Sequence, residues 1–369
     1  MEKVKLGQLT NIKTGRLDVN AENPNGKYPF FTCSKNHTYI DEYAFDGESV
    51  LVAGNGDLNV KYYNGKFNAY QRTYVIQANE NLNGKFLYYF LDSYVEKLRE
   101  QSIGGVIKYI KLGNLTDAEI PLPNLATQQR IAAILDQADA IIQNNRAIVQ
   151  KYDALTQSLF LDMFGDPVKN EKGWKVKSLG DITNLITDGK HGNCNDEKDS
   201  GYYFISAKDV KNNLINYTDA REIPKIEFEE VDKRTNLQPG DLVMINTGAT
   251  IGRMAIAKDI PETRKTTFQK SVAVIKVKND IISSFYLQYV LELGIITFAN
   301  MGSGSAIKNL LLSEMRRFKI ILPNLELQNQ FAERVAMIEA QKQQAQLELA
   351  KSEELFNSLL QKAFKGELS

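Results

Sequence analysis

The chain has 369 residues, 43% of them apolar, which is enough for two or more domains with cores of their own. Its 45 Lys and Arg balance 45 Asp and Glu, which excludes an overall field that would draw a polyanion to the whole surface. Cys33 and Cys194, and likewise His37 and His191, lie far apart, which argues against a disulfide framework or a zinc cluster. The opening MEKVKLGQLTNIKTG has no apolar signal core and no run reaches the length of a membrane span, so the expectation is a soluble, cytoplasmic chain.

In chain order, ESVLVAG (48–54) and RTYVIQ (72–77) read as strands, and GKFLYYFLDSYVEKLREQ (84–101) as a helix. From Ile131 an apolar seam then runs through Leu135, Ala138, Ile142, Asn145, Val149, Tyr152, Thr156, Leu159 and Met163. Its steps alternate four and three, the heptad spacing of a coiled coil. After MFGDP the plan begins again, with DLVMINTG (241–248) and SVAVIKV (271–277) as strands and SSFYLQYVLELGIITFAN (283–300) as a helix. The closing seam is Phe331, Val335, Ile338, Lys342, Ala345, Leu349, Ser352, Phe356, Leu359 and Ala363, in the same register.

The second half repeats the first. IPLPNLATQQRIAAILDQADAIIQ (120–143) aligns without a gap on IILPNLELQNQFAERVAMIEAQKQ (320–343), placing Pro123 on Pro323, Asn124 on Asn324 and Gln128 on Gln328. The unit openings KLGQLTNIKTG (5–15) and SLGDITNLITDG (178–189) match, as do YQRTYVIQ (70–77) and FQKSVAVI (268–275). A period this long is a duplicated domain plus helix, not a solenoid. Asn124 and Asn324 are set to cap the long helices, and Gly165 and Gly366 to stop them. At about 38 residues each, the helices would be about 57 Å long. The first helix feeds the second globular part, which ends where the second helix starts, so the expected pairing is antiparallel with a head at each end and a pseudo-two-fold axis between. The fold class expected is α+β, two mixed α/β domains at 1–124 and 166–324 joined by helices at 125–165 and 325–369.

Two matched heads at a set spacing suit a target split along a duplex, since paired readers on DNA lie about 34 Å or more apart. Each head has carboxylate-free windows at corresponding places: between Asp57 and Glu80, and between Glu262 and Asp280. A third pair is 101–116 and 293–313. Phosphate contact needs cations free of nearby carboxylates, and base reading needs Arg, Lys, Asn and Gln at a groove. The glycine loops AGNGD (53–57) and NTGATIG (246–252) follow strands and could admit a phosphate or simply close hairpins. They lack the terminal Gly-Lys-Ser/Thr of a phosphate-binding loop. No Ser/His/Asp set, Cys/His pair or cofactor fingerprint is visible.

The paired LPNL…Q helix entrances, DGKHG (188–192), GYYFISAKDV (201–210), INTGATIG (245–252) with FQKSVAVI, and GSGSAIKNL (302–310) together resemble the specificity subunit of type I restriction–modification systems. The resemblance spans nearly the whole chain. It implies two target recognition domains, each reading half of a split DNA sequence, with spacer helices that set the gap and dock methyltransferase subunits, two as a rule. Restriction subunits would join to make the nuclease. S-adenosylmethionine for adenine-N6 methylation would sit in the methyltransferase partner, and ATP and Mg in the restriction partner, with no cofactor in this chain. The chain accordingly lacks the Asn/Asp-Pro-Pro-aromatic motif of an adenine methyltransferase and is expected to be non-catalytic alone. Carried onto matching positions, the candidate DNA contacts are Lys35, His37, Asn55, Lys61, Gln71, Arg72 and Lys108 in the first head. In the second they are Lys190, His191, Asn246, Thr247, Arg253, Gln269, Lys270, Ser303 and Lys308. Gln71–Arg72 and Gln269–Lys270 form the best-matched pair. The first head departs from the pattern at its opening, where KTGRLDVN (13–20) is the nearest match to DGKHG. A coiled-coil scaffold whose heads bind proteins is the alternative.

Overall fold

The computed structural model describes residues 2–300 and 309–368, the last five of the first stretch by backbone alone. The chain divides into two compact units, residues 1–149 with 344–369, and residues 150–343. The fold is mixed α/β, and each unit is built on a four-stranded sheet, a smaller three-stranded sheet and a helix against them.

In the first unit the larger sheet has the order Thr10–Thr14, Thr73–Ala78, Glu48–Ala53, Val60–Asn64, all neighbours antiparallel. Val50, Val52 and Ile76 face one way, into a core with Phe86, Leu87, Phe90 and Leu91 of the helix Gly84–Gln101. Leu51 and Val75, one residue out of phase, face the other way onto Phe31, Phe67 and Ala69. The strands are buried on both faces, which is why their apolar runs are continuous rather than alternating.

The second unit repeats this order with Thr183–Asp188, Val272–Val277, Leu242–Ile245 and Met254–Ile256. The helix Ser284–Asn300 brings Tyr286, Leu287, Val290 and Leu291 onto one face, and Val243, Ile245 and Val274 pack on the other. An added helix, Lys225–Thr235, was not legible as one: its low apolar content hides the three side chains, Phe228, Val231 and Thr235, that it buries.

The long helices run Leu125–Phe164 and Leu325–Lys365, 40 and 41 residues, hence about 60 Å each. Their entrances are the same construction twice. Asn124 Oδ1 accepts the Thr127 N–H at 2.9 Å and Asn324 Oδ1 the Leu327 N–H at 2.8 Å, both N-caps. Gln128 is buried; its amide donates to the carbonyls of Asn81 and Pro123 and accepts from the Asn83 N–H, at 2.9–3.0 Å. Gln328 does the same with Ile281, Pro323 and Ser283. A glutamine is needed because one side chain must supply both donor and acceptor to the turn that leads into the head's own helix. Gly165 and Gly366 end the helices at φ +77° and +84°.

Every residue of both heptad seams is buried or half-buried. Within the first unit Ile131 and Leu135 share a core with Ala363, Asn145 Nδ2 donates to the Ser352 hydroxyl at 2.9 Å, and Arg146 pairs with Glu353 at 2.6 Å. Within the second, Phe160 and Phe164 pack edge-on against Phe331, and Lys342 meets Asp153. Phe160 and Phe164 lie one position beyond Leu159 and Met163 of the seam and are the more deeply buried.

Candidate nucleic-acid interface

In the first unit four backbone hydrogen bonds tie distant segments together at one end of the larger sheet. The Gly54 N–H donates to the Arg72 carbonyl at 2.8 Å, and the Ile110 N–H to the Gly54 carbonyl at 2.9 Å. The Gly56 N–H donates to the Lys108 carbonyl at 3.0 Å, and Gln71 N–H to the Leu17 carbonyl at 2.9 Å. Asn55 pairs with Tyr109 across the same junction. A Cβ on Gly54 would lie 2.4 Å from the Arg72 oxygen, so only glycine permits this approach. Asn55, Arg72 and Lys108, three of the sequence-derived candidates, are thereby gathered at one place, and Arg72 and Lys108 are exposed.

Lys35 and Lys61 lie instead along an open cavity of about 360 Å³, beside Asn59 and Arg99. Lys61 Nζ donates to the Thr32 carbonyl at 3.3 Å and to Asn59 Oδ1, and burial pulls its pKa down to about 8. Lys35 approaches Asp57 at 3.9 Å, and the same carboxylate binds Arg99 at 3.0 Å. His37 is exposed and stands beside Phe31 and Tyr39, with ring centroids 5.5 and 5.3 Å away. Gln71 is exposed and its amide donates to Asp18 at 3.2 Å. The windows empty of carboxylates in sequence are therefore not empty in space: Asp18 and Asp57 enter from outside them.

The second unit builds the same junction. The Asn246 N–H donates to the Ser271 carbonyl at 3.0 Å, the Leu310 N–H to the Asn246 carbonyl at 2.7 Å, and Thr247 pairs with Asn309. Thr247 Oγ1 donates to Asn309 Oδ1 at 2.8 Å. His191, Asn246, Thr247 and Lys270 line one cavity of about 280 Å³ together with Asp188 and Asn309. Lys270 is exposed there and the Lys270 N–H donates to the Lys190 carbonyl at 3.1 Å. Asn246 is buried, and its side-chain NH2 reaches the Lys270 and Ser271 carbonyls at 3.1 and 2.8 Å, which holds that turn in place. His191 lies 3.3 Å from Asp188, a carboxylate also approached by Arg234 at 3.7 Å. Lys190 points away from the cavity's cations to Glu227 and Glu230, at 3.5 and 3.4 Å. Gln269 is half-buried, with its N–H on the Ile205 carbonyl, and Arg253 is exposed at the rim of another cavity beside Ile251 and Glu292. Ser303 and Lys308 lie outside the described residues.

The hydrogen bonds also fix which positions of the two halves correspond. Thr14 faces Tyr74, and Asp188 faces Ala273, so Tyr70 matches Gln269 and Gln71 matches Lys270. The alignment of YQRTYVIQ on FQKSVAVI is therefore one residue out: it superposed two Gln-cation dipeptides, whereas strand register follows the ladder. A Cβ on Gly15 would meet the Ala69 oxygen at 1.8 Å, and one on Gly189 the Phe268 oxygen at 1.8 Å. KTGRLDVN thus does hold the counterpart of the glycine in DGKHG. Asn309 and Arg99 were missed because each reaches its site from a remote segment with no local signature, whereas Asp188 stood in the DGKHG motif itself and was passed over as a carboxylate.

Among the described residues no group of His, Cys, Asp and Glu is placed to hold a metal, and no helix is long and apolar enough to cross a membrane. Burial pushes the Cys194 thiol up to about 11, so it stays protonated at neutral pH.

This fold is that of type I restriction–modification specificity subunits. It is shared with the S subunit of such a system from M. genitalium (TM-score 0.61, 19% identity, 98% of this chain and 96% of that one). It is shared too with a chain from a structure describing complex assembly and conformational transition of the type I system (TM-score 0.63, 18% identity, 100% and 98%). The sequence goes further: the family model described as the type I restriction modification DNA specificity domain matches residues 1–151 and 171–349, and the chain belongs to that family. The EcoDI specificity subunit of Escherichia coli is 28% identical over an alignment of 397 residues, covering 99% of this chain and 88% of the relative. The EcoBI specificity subunit of Escherichia coli is 24% identical, covering 87% and 74%. The role of the family, and of this chain within it, is DNA sequence specificity; catalysis belongs to other subunits.

Proposed function

We propose that each unit reads one half of a split DNA sequence, with residues 1–124 and 166–324 as the recognition domains and 125–165 and 325–369 as the spacer helices. The observation that carries this is the recurrence, in both units, of one hydrogen-bonded junction: Gly54–Arg72 with Ile110, and Asn246–Ser271 with Leu310. The first junction presents exposed Arg72 and Lys108 and the second exposed Lys270, each next to an amide or hydroxyl side chain, the chemistry that grips phosphates and reads base edges. On this reading Arg72, Lys108, Gln71 and Asn55 are the foremost contacts of the first unit. Lys270, Thr247 and His191 are those of the second, with Gln269 and Arg253 at its margins, and Ser303 and Lys308 stand as further contacts on the sequence alone. Lys35, His37 and Lys61 act beside the first cluster, while Lys190 and Asn246 hold the second cluster's loops.

The helices run antiparallel as a coiled coil, related by a pseudo-two-fold axis, and set the gap between the half-sites. What supports the direction is that within the first unit residue numbers rise along one helix as they fall along the other, from Ile131 with Ala363 to Asn145 with Ser352. The same helical region leaves Ile141, Ile148, Leu347 and Leu355 exposed, an apolar surface on which methyltransferase subunits, two in number, dock. S-adenosylmethionine is held by those partners and ATP and Mg by restriction subunits, and the assembly works in the cytoplasm.

Salt tests the DNA reading directly. The complex reconstituted with its methyltransferase partner should bind duplex with an affinity that falls linearly in log–log against salt concentration. A complex indifferent to both DNA and salt would favour the protein-binding scaffold.

A further inference from the structure

Beyond the polar contacts, the first unit carries an apolar projection beside them. Residues 103–109 form a narrow loop closed at its base by two reciprocal bonds: Ile103 N–H to the Tyr109 carbonyl at 3.0 Å, and Tyr109 N–H to the Ile103 carbonyl at 2.8 Å. Three further hydrogen bonds fix that base to the sheet. The Gly56 N–H donates to the Lys108 carbonyl and the N–H of buried Ile110 to the Gly54 carbonyl, which sets Asn55 opposite Tyr109, and the Tyr74 hydroxyl donates to the Ile110 carbonyl at 3.2 Å. Gly104 turns the chain at φ +117°, where a Cβ would lie 2.5 Å from the Ile107 oxygen.

On this braced base the tip is unsupported. Val106 is fully exposed and Ile107 is 63% exposed, with Ile103 and Tyr109 also open below them. An apolar side chain stabilises a fold only by leaving water, and Val106 leaves none. Folding therefore gives no account of a Val-Ile pair here, whereas single exposed apolar residues elsewhere need none. The surroundings name the occupant. Lys108 follows the tip directly and Lys111 lies three residues on, the base of the loop sits on the junction that presents Arg72, and the carboxylate of Asp57, next in the chain to Gly56, is taken by Arg99 at 3.0 Å. Protein interfaces keep charge away from their apolar centre, while DNA-binding surfaces set apolar wedges among cations.

We propose that Val106 and Ile107 form a wedge that enters a groove of one half-site and packs on its bases, with Lys108 holding the adjacent phosphate. This rests on the DNA-reading function proposed above. Because the base is braced before binding, little ordering is left to be done on contact.

The test uses the full chain assembled with its methyltransferase partner and a randomised duplex library. Selection by the wild-type complex yields an enriched duplex, which then serves as the probe. Val106→Ser with Ile107→Ser should melt at the wild-type temperature, bind the enriched duplex on the order of tenfold more weakly, and keep the wild-type salt slope. Repeated selection with this variant should relax one half-site only. Lys108→Ala should instead lower the salt slope by about one charge while keeping the base preference. Wild-type affinity and base preference in the double serine variant would overturn the wedge. So would loss of methyltransferase assembly with base preference intact, which would make the tip a protein contact. If the wild-type complex itself enriches no sequence, the DNA-reading function fails, and the wedge with it.

Discussion

Lys61 shows how a side chain can be both a candidate contact and a part of the scaffold. Its amine is half-buried against the Thr32 carbonyl and Asn59, and burial lowers its pKa to about 8. In the unfolded chain it returns to the ordinary value of 10.5. Below pH 8 both states hold the proton and stability is flat; between about 8 and 10.5 the unfolded chain holds more protons, so stability rises with pH. Urea unfolding across that range should show the rise in the natural chain and a smaller one in Lys61→Met. An unchanged pH dependence in the variant would show that Lys61 is not the group responsible. The sequence named Arg72, Lys108 and Lys270 as candidate DNA contacts, and all three are exposed cations near the junctions. It could not show that Lys190 is taken by Glu227 and Glu230, or that Asn246 is occupied by two carbonyls, because those partners come from a helix and a strand turn elsewhere.

At the scale of elements, the helix entrance is the most legible feature, since one glutamine serves three backbone groups and nothing else fits. Gln328→Leu would leave the Ser283 N–H and the Ile281 and Pro323 carbonyls without their partner. We expect a loss of roughly 2–4 kcal/mol in the stability of the second unit, read from urea unfolding. A loss under about 1 kcal/mol would mean that water replaces the amide, and the entrance would then be a less rigid joint. The heptad seams lie inside both long helices, which Asn124 with Gly165 and Asn324 with Gly366 bracket, and strand runs marked the strands of the sheet cores. Less legible was the exact register of the repeat, where side-chain likeness pulled the alignment one place off the ladder that joins Asp188 to Ala273. Helix Lys225–Thr235 escaped for a similar reason: only three of its side chains are buried, too few to print a period.

The whole molecule is a duplicated plan: one junction recurs in both units, and each half of the sequence carries one helix of about 60 Å. The family match fixes DNA sequence specificity as the role, and the proposed half-site reading would assign one reader to each unit. The most direct test is the adenine-methylation motif written by the complex in cells, before and after one heptad is removed from both long helices. Removing seven residues shortens each helix by about 10 Å, the rise of about three base pairs. The motif should be split, and in the shortened protein its gap should contract by about three base pairs or methylation should be lost. A contiguous motif, or a split one whose gap is unchanged by the deletion, would contradict the account.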